Sequence, residues 1–232
     1  VTGVQTCALP ISGLNQTYDF WHSVQQFPSF LPNKHTPLIL TIHDLNFLVE
    51  KDKSRAIWYL KRLQKNVNRA NYITTISNFT KTEIEKHVDL KGKNIQVIHN
   101  GISPNQHIEG KKPGFISGRN FFFSIGEFKI KKNFHALIPM MKYFPDHQLV
   151  IAGNHHSPYG KSILDEINQM GLSHQIVLPG KITEHEKKWL YCNCQAFLFP
   201  SMAEGFGMPA IEAMQEGKPT FLSKYTSLPE VG

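Results

Sequence analysis

AFLFPSMAEGFGMPAIEAM, residues 196–214, is the stretch on which the fold reading turns. Ala196 to Pro200 form a continuous apolar run, with no alternation of polar and apolar positions. That is how a strand of a parallel sheet, buried on both faces, reads. A polar turn carrying Glu204, Gly205 and Gly207 follows, and Pro209 suits the first turn of a helix. Strand, glycine-bearing turn and helix N-terminus in succession make half of a βαβ unit, with the turn at the ligand-binding end of the sheet.

The same grammar extends in both directions. Apolar runs at 38–42 (LILTI), 72–76 (YITTI), 95–98 (IQVI), 121–125 (FFFSI), 148–152 (QLVIA), 175–179 (QIVLP) and 219–223 (PTFLS) predict further strands. Amphipathic spacing predicts helices between them. Residues 55–70 align Ala56, Leu60, Leu63, Val67 and Ala70; residues 134–144 align Phe134, Leu137, Ile138, Met141 and Phe144; Ile163, Leu164, Ile167 and Met170 precede Gly171. Thr183 with Glu186 three residues later predicts a capping box opening a helix over 184–194. The alternation predicts an α/β, doubly wound architecture.

It breaks once, between Ile98 and Phe121, where Gly, Pro, Asn and Lys replace helical periodicity. We therefore expect two Rossmann-like domains, over 12–105 and 120–232, with a linker at 106–119. The first twelve residues, VTGVQTCALPIS, are uncharged and begin with valine. They lack the basic start and cleavage site of a signal peptide, and Pro10 interrupts a strand. Val1 to Ile11 resemble the translation of a sequencing adapter, so residues 1–11 are expected to be non-native. The first domain is then expected to be incomplete at its N-terminus and the second to lack its closing helices.

Composition narrows the function classes. The 232 residues are 41% hydrophobic and 19% charged, enough to bury a core. No apolar run approaches the roughly 18 residues of a spanning helix. A net charge of +7 points to an acidic partner, nucleic acid, anionic membrane or phosphorylated small molecule. The cations are spread, apart from KIKK (129–132) and a helical face around Lys61, Arg62 and Lys65, and no nucleic-acid motif accompanies them. Cys192 and Cys194 supply two ligands, short of a structural zinc site, and read as reduced thiols of a cytoplasmic protein.

Four strand ends carry chemistry. In 204–212 the glycines admit backbone N–H groups to a ligand and the helix N-terminus favours anions. Glu204 and Glu212, eight residues apart, are carboxylates able to accept from paired sugar hydroxyls. The competing reading is a tight turn with a surface glutamate. In SIGEFKIKKNF (124–134), Gly126 precedes Lys131 and Lys132, and Asn133 is placed as the cap of the next helix; two ammonium groups there suit a diphosphate, or only a solvated basic loop. Pro179, Gly180 and Lys181 make a turn toward the capped helix. His43 ends the strand of TIHD (41–44), either facing the cleft or satisfied structurally.

As an ordered series these segments resemble a known family. EGFGMPAIE (204–212) is similar to the E-x7-E signature of retaining glycosyltransferases of the GT-B fold, glycosyltransferase family 4. TIHDLNF (41–47), ANYITTISNFTKTEI (70–84), IQVIHNGI (95–102), SIGEFKIKKNF, LVIAG (149–153), IVLPGKI and SLPEVG (227–232) follow in that family's order, nearest its mannosyltransferase-like branch. The resemblance implies that Glu204 contacts the transferred sugar and Glu212 the ribose. It implies that Gly205, Phe206, Gly207 and Met208 hold sugar and diphosphate, with Lys131 and Lys132 on the diphosphate. Pro179–Gly180–Lys181 would lie against the base and His43 in the cleft. Lys131 stands where close members carry arginine, and Glu127 where many do.

The implied reaction moves a hexose, mannose from GDP-mannose being the expected donor, to a glycan or lipid-linked acceptor with retention of configuration. It implies no metal and no cofactor, a place in cell-surface polysaccharide synthesis, a cytoplasmic location with peripheral contact at the inner membrane surface, and no nucleic acid. The alternatives are a non-catalytic nucleotide-sugar binding module, or another GT-B enzyme such as a sugar-nucleotide epimerase. A glycosidase is disfavoured, because its carboxylates face each other across a sugar, whereas both glutamates here lie on one segment.

Overall fold

A computed structural model describes residues 18–102, 108–118 and 120–232. The expected adapter segment lies outside the described residues, as do residues 106, 107 and 119 of the expected linker.

Two wholly parallel sheets carry the chain. The first runs in the order β1 (Trp21–Ser23), β2 (Leu38–Ile42), β3 (Tyr72–Thr75), β4 (Ile95–Val97). The second has the order β7 (Ile176–Val177), β6 (His147–Ala152), β5 (Asn120–Ile125), β8 (Ala196–Phe199), β9 (Thr220–Leu222). Between strands lie α1 (Phe47–Glu50), α2 (Lys53–Arg69) and α3 (Asn78–His87) in the first part, and α4 (Pro158–Gln169), α5 (Glu184–Asn193) and α6 (Met208–Gln215) in the second, where α7 (Leu228–Val231) follows β9. The sequence reading places three strands before the linker. The structure adds β1, three residues long, whose WHS sequence carries no apolar run to mark it.

The central strands of the second sheet, β5, β6 and β8, are buried on both faces, and the period of two sorts their side chains. In the second sheet Phe122, Leu149, Ile151 and Leu198 face α4, meeting Ile163 and Ile167. Phe121, Phe123, Val150, Phe197 and Phe199 face the other way, against Leu190 and Tyr191 of α5 and Ala210 and Ala213 of α6. In the first sheet Leu38, Leu40, Ile42 and Ile73 pack with Leu63 and Val67 of α2 and Ile84 of α3.

The helix starts follow their capping chemistry. Asp52, Ser77 and Ser157 each accept a backbone N–H of the first turn of α2, α3 and α4. Thr183 and Glu186 form the reciprocal capping box of α5. Among the described residues, no helix is long and apolar enough to cross a membrane.

Two helix expectations are corrected. Residues 134–144 form no α-helix; the chain makes 3₁₀ segments at Ile130–Lys132, Phe134–Leu137 and Pro139–Tyr143. Asn133 at φ +56° stops any continuous helix before it, and Pro139 lacks the N–H that an α-helix needs in its interior. Phe134, Leu137, Ile138 and Met141 are still buried, because spacing of three and four keeps them on one side. Leu164 is exposed, so the inward stripe of α4 is Ile163 and Ile167.

The ligand-binding ends of β5 and β6 approach so closely that a side chain is excluded. A Cβ on Gly153, at φ +141°, would lie 1.8 Å from the Gly126 carbonyl oxygen. Gly153→Ala is therefore expected to destabilise the protein by more than about 2 kcal/mol. An unchanged urea midpoint would refute this account of the Gly126–Gly153 contact.

Candidate active site

Loops at the carboxyl ends of β5 and β8 are knitted together by backbone bonds. Met202 N and Ser201 Oγ both donate to the Lys131 carbonyl, at 2.7 and 3.1 Å. Asn133 Nδ2 donates to the Pro200 carbonyl at 3.1 Å. Asn133 is thus not the expected helix cap; its αL backbone, which asparagine tolerates, turns its amide onto the neighbouring loop.

That stitching brings Lys132 to Glu204. Lys132 Nζ lies 2.5 Å from Glu204 Oε1, with both side chains only 12–13% exposed, and Ser201 Oγ donates to the same oxygen at 2.6 Å. The ammonium also sits 5.0 Å from the centre of the Phe199 ring. Lysine and glutamate neutralise each other across 72 residues of sequence. An anionic ligand reaching Lys132 competes with Glu204 for it, and the displaced carboxylate is then available to another donor.

Lys131 points to a different partner. Its Nζ lies 2.6 Å from Glu50 of the first domain. Gly126, at the end of β5, is packed against the Lys132 side chain, and a Cβ there would stand 3.3 Å from Lys132 Cε.

The loop after Glu204 is clamped between the domains. Ser77 Oγ donates to the Gly205 carbonyl at 2.8 Å, and Ser227 Oγ to the carbonyls of Glu204 and Phe206 at 3.1 and 3.2 Å. Glu204 N donates to Thr226 Oγ1 at 3.1 Å. Gly205 needs its missing side chain, since a Cβ would come within 2.5 Å of the His43 carbonyl oxygen. Gly207, at φ +109°, begins α6, and Met208 and Pro209 form its first turn. Phe206 is buried, its ring 5.5 Å from that of His99.

Glu212 occupies a second station, on α6 against α5. Its Oε2 accepts from Tyr191 OH at 2.8 Å, and Oε1 lies 3.6 Å from Lys187 Nζ. Burial, reinforced by the Glu212 charge, pushes the Tyr191 phenol well above its usual range, so it stays a donor. Burial works against the charge of Lys187, but its bonds to Glu184 and Glu212 prevail and raise it. Pro179, Gly180 and Lys181 lead from β7 to α5, and the Gly180 carbonyl accepts from Gly153 N at 2.8 Å.

His43 does not join this cluster through its ring. Its Nε2 lies 2.6 Å from the Val24 carbonyl oxygen, in a shallow groove with Gln25, Gln26 and Phe27. Only its backbone meets the loop, at Gly205. Glycine at 205 draws the strand end close, and Val24, the residue that follows the short β1, supplies the carbonyl that takes the imidazole.

Beside the cluster lies a cleft of about 690 Å³ between the domains. Leu48, Val49 and Phe79 wall it on one side, Ile130, Tyr159 and Met202 on the other. None of these six was legible as a site residue, because single apolar residues in loops carry no motif. The contributions of Ser77, Ser201, Thr226 and Ser227 were equally hidden, although serine and threonine beside glycine loops are a usable signal for backbone clamping.

Residues 105–231, more than half of the chain, match the family described as Glycosyl transferases group 1. The chain belongs to that family. Residues 14–106 match Glycosyltransferase Family 4. O-antigen chain mannosyltransferase RfbU of Salmonella typhimurium is 26% identical over 226 residues, covering 92% of this chain and 63% of that protein. Serotype-specific mannosyltransferase WbdA of Escherichia coli is 28% identical, covering 83% of this chain and 26% of that one. Among solved structures, Anabaena Alr3699/HepE in complex with UDP and glucose superposes with a TM-score of 0.69 at 22% identity, covering 84% of this chain and 55% of that chain. The α/β GT-B fold of the chain is thereby established. The chain spans less than two thirds of the length of these relatives.

One contact tests how the 204–207 loop is held between the domains. Glu230, on α7, accepts from the backbone N–H groups of Asn78 and Phe79 at 2.9 and 3.0 Å, closing α7 onto the N-terminus of α3. Glu230→Ala is expected to lower stability by about 1–2 kcal/mol and to enlarge the radius of gyration as the domains loosen. A variant with unchanged melting and unchanged scattering would show that this contact does not hold the domains together.

Proposed function

We propose that the protein transfers a hexose, mannose from GDP-mannose, to a glycan acceptor, free or lipid-linked, with retention of configuration. The supporting relatives are mannosyltransferases named for O-antigen chains and serotype, which favours a role in cell-surface polysaccharide synthesis. The observation that carries the reading is the Lys132–Glu204 pair beside the glycine loop that opens α6.

Donor binding on this reading exchanges partners. The diphosphate takes Lys132 from Glu204 and Lys131 from Glu50, and the α6 N-terminus adds its dipole. Released from the ammonium, Glu204 faces the sugar, where a carboxylate stabilises the positive charge that develops as the glycosidic bond breaks. Glu212, held by Tyr191 and Lys187 at the far end of the same segment, accepts from the ribose hydroxyls. The turn at Pro179–Gly180–Lys181 lies against the base. Two ammonium groups compensate the leaving diphosphate, so the proposed chemistry asks for no metal and no cofactor. His43 takes part through its backbone, which seats Gly205, and its ring is free to move from the Val24 carbonyl toward an acceptor hydroxyl. The protein works in the cytoplasm and meets its acceptor at the inner membrane surface.

Calorimetric titration with GDP and with UDP tests the donor site. GDP is expected to bind more tightly, with Glu212→Ala weakening it at least about tenfold, the scale of a lost charge-assisted contact. Absence of binding by either nucleotide would sink the proposal. With GDP-mannose and a mannoside acceptor, nuclear magnetic resonance should show an α-linked product; binding without transfer would reduce the protein to a nucleotide-sugar binding module.

A further inference from the structure

Helix α2 carries six cations, Lys53, Arg55, Lys61, Arg62, Lys65 and Arg69, and no acidic residue. The whole chain has a formal excess of seven positive charges. One helix therefore concentrates a charge that the rest of the protein nearly balances. Its inward stripe is Ala56, Leu63, Asn66 and Val67. The outward face interleaves apolar and basic groups, with Ile57 and Trp58 at 44% and 55% exposed beside Lys61, Arg62 and Lys65. Positions 57, 58, 61, 62 and 65 fall on one side of a 3.6-residue helix.

The neighbouring acids leave the charge of Lys61, Arg62 and Lys65 uncancelled. Asp52 is engaged at the N-cap, accepting from Arg55 N and pairing with its guanidinium at 3.5 Å. Asp89, near the other end, is held by Lys91 at 2.6 Å. Arg62 lies 5.3 Å from the Phe27 ring centre and 5.5 Å from that of Trp58. Trp58 lies on the side of α2 away from its buried stripe and is 55% exposed.

We infer that the outward face of α2 docks on an anionic lipid bilayer. Exposed tryptophan and isoleucine flanked by lysine and arginine are the composition of a helix lying in the interface, its apolar groups at the acyl boundary and its cations among the phosphates. Either apolar side chain alone would be an ordinary surface residue; together with three cations on one helix face they make an amphipathic docking surface. A nucleic acid would take the cations and the indole but gains nothing from Ile57. The face runs into the site: Val49, 78% exposed, and Lys51 line the cleft just before α2 begins. Docking through α2 sets the mouth of the cleft beside the headgroups. The inference rests on the proposed function only for its purpose, namely access to a lipid-linked acceptor, and its test needs neither donor nor acceptor.

The full chain is sedimented with vesicles of phosphatidylglycerol mixed equally with phosphatidylcholine, and with phosphatidylcholine alone. Partitioning onto the anionic vesicles alone is expected, weakening as salt rises. Each cation near such a surface contributes about fivefold, so Lys61→Gln with Lys65→Gln should lower partitioning about 25-fold, and charge reversal to glutamate further. Trp58 emission should shift to the blue on binding, a shift absent from Trp58→Phe. These side chains are exposed, so melting curves should be unchanged; if a reversal variant melts early, the glutamine variant decides. Nucleotide affinity should also be unaltered, which separates failure here from failure of the donor site. No vesicle binding, equal binding to both vesicles, glutamine variants that bind as well as the parent, or tighter binding to a nucleic acid duplex at the same salt would each overturn the inference.

Discussion

The structure depends on satisfying the backbone of one loop. Residues 204–207 leave the second sheet and press against the first domain, where their carbonyls have no strand to bond with. Buried peptide groups without partners are costly. Ser77 from one domain and Ser227 from the other supply hydroxyls to three of those carbonyls. Glycine at 205 is required because the approach leaves no room for a side chain beside His43. The loop is thus part of the contact between the domains as well as of the candidate site, and what holds one shapes the other.

Electrostatics within the cluster follow the same economy. Each charged group proposed to meet the donor already has an opposite charge within the protein: Lys132 has Glu204, Lys131 has Glu50, and Glu212 has Lys187. Burying an unpaired charge is expensive, so the ligand-free site pairs its ions internally. A ligand that carries both a diphosphate and hydroxyls can substitute for both halves of these pairs. Because Glu50 belongs to the first domain, any ligand on Lys131 also acts on the contact between domains.

Much of the fold was legible because its signals are local. Eight strands were visible as apolar runs, the α5 capping box as Thr183 and Glu186, and the opening of α6 as Gly207 followed by Pro209. The 134–144 segment shows where local signals fail. Its apolar spacing fits an α-helix, yet Asn133 and Pro139 at its ends and middle favour 3₁₀ turns, and burial of the same four side chains is served either way. The short β1 was invisible because its residues are held by pairing to β2 rather than by their own propensity.

By itself the sequence determined the parallel βαβ order, the family, and which residues stand at the ligand-binding ends of the strands. These follow from periodicity and from motifs whose parts are near neighbours in the chain. Only the tertiary structure decided that Lys132 meets Glu204, that Asn133 bonds a neighbouring loop instead of capping a helix, that the His43 ring turns to Val24, and that Glu230 closes on α3. Those contacts join residues tens to more than a hundred positions apart. No local pattern encodes such distances; they are set by how two sheets bring their loop ends together.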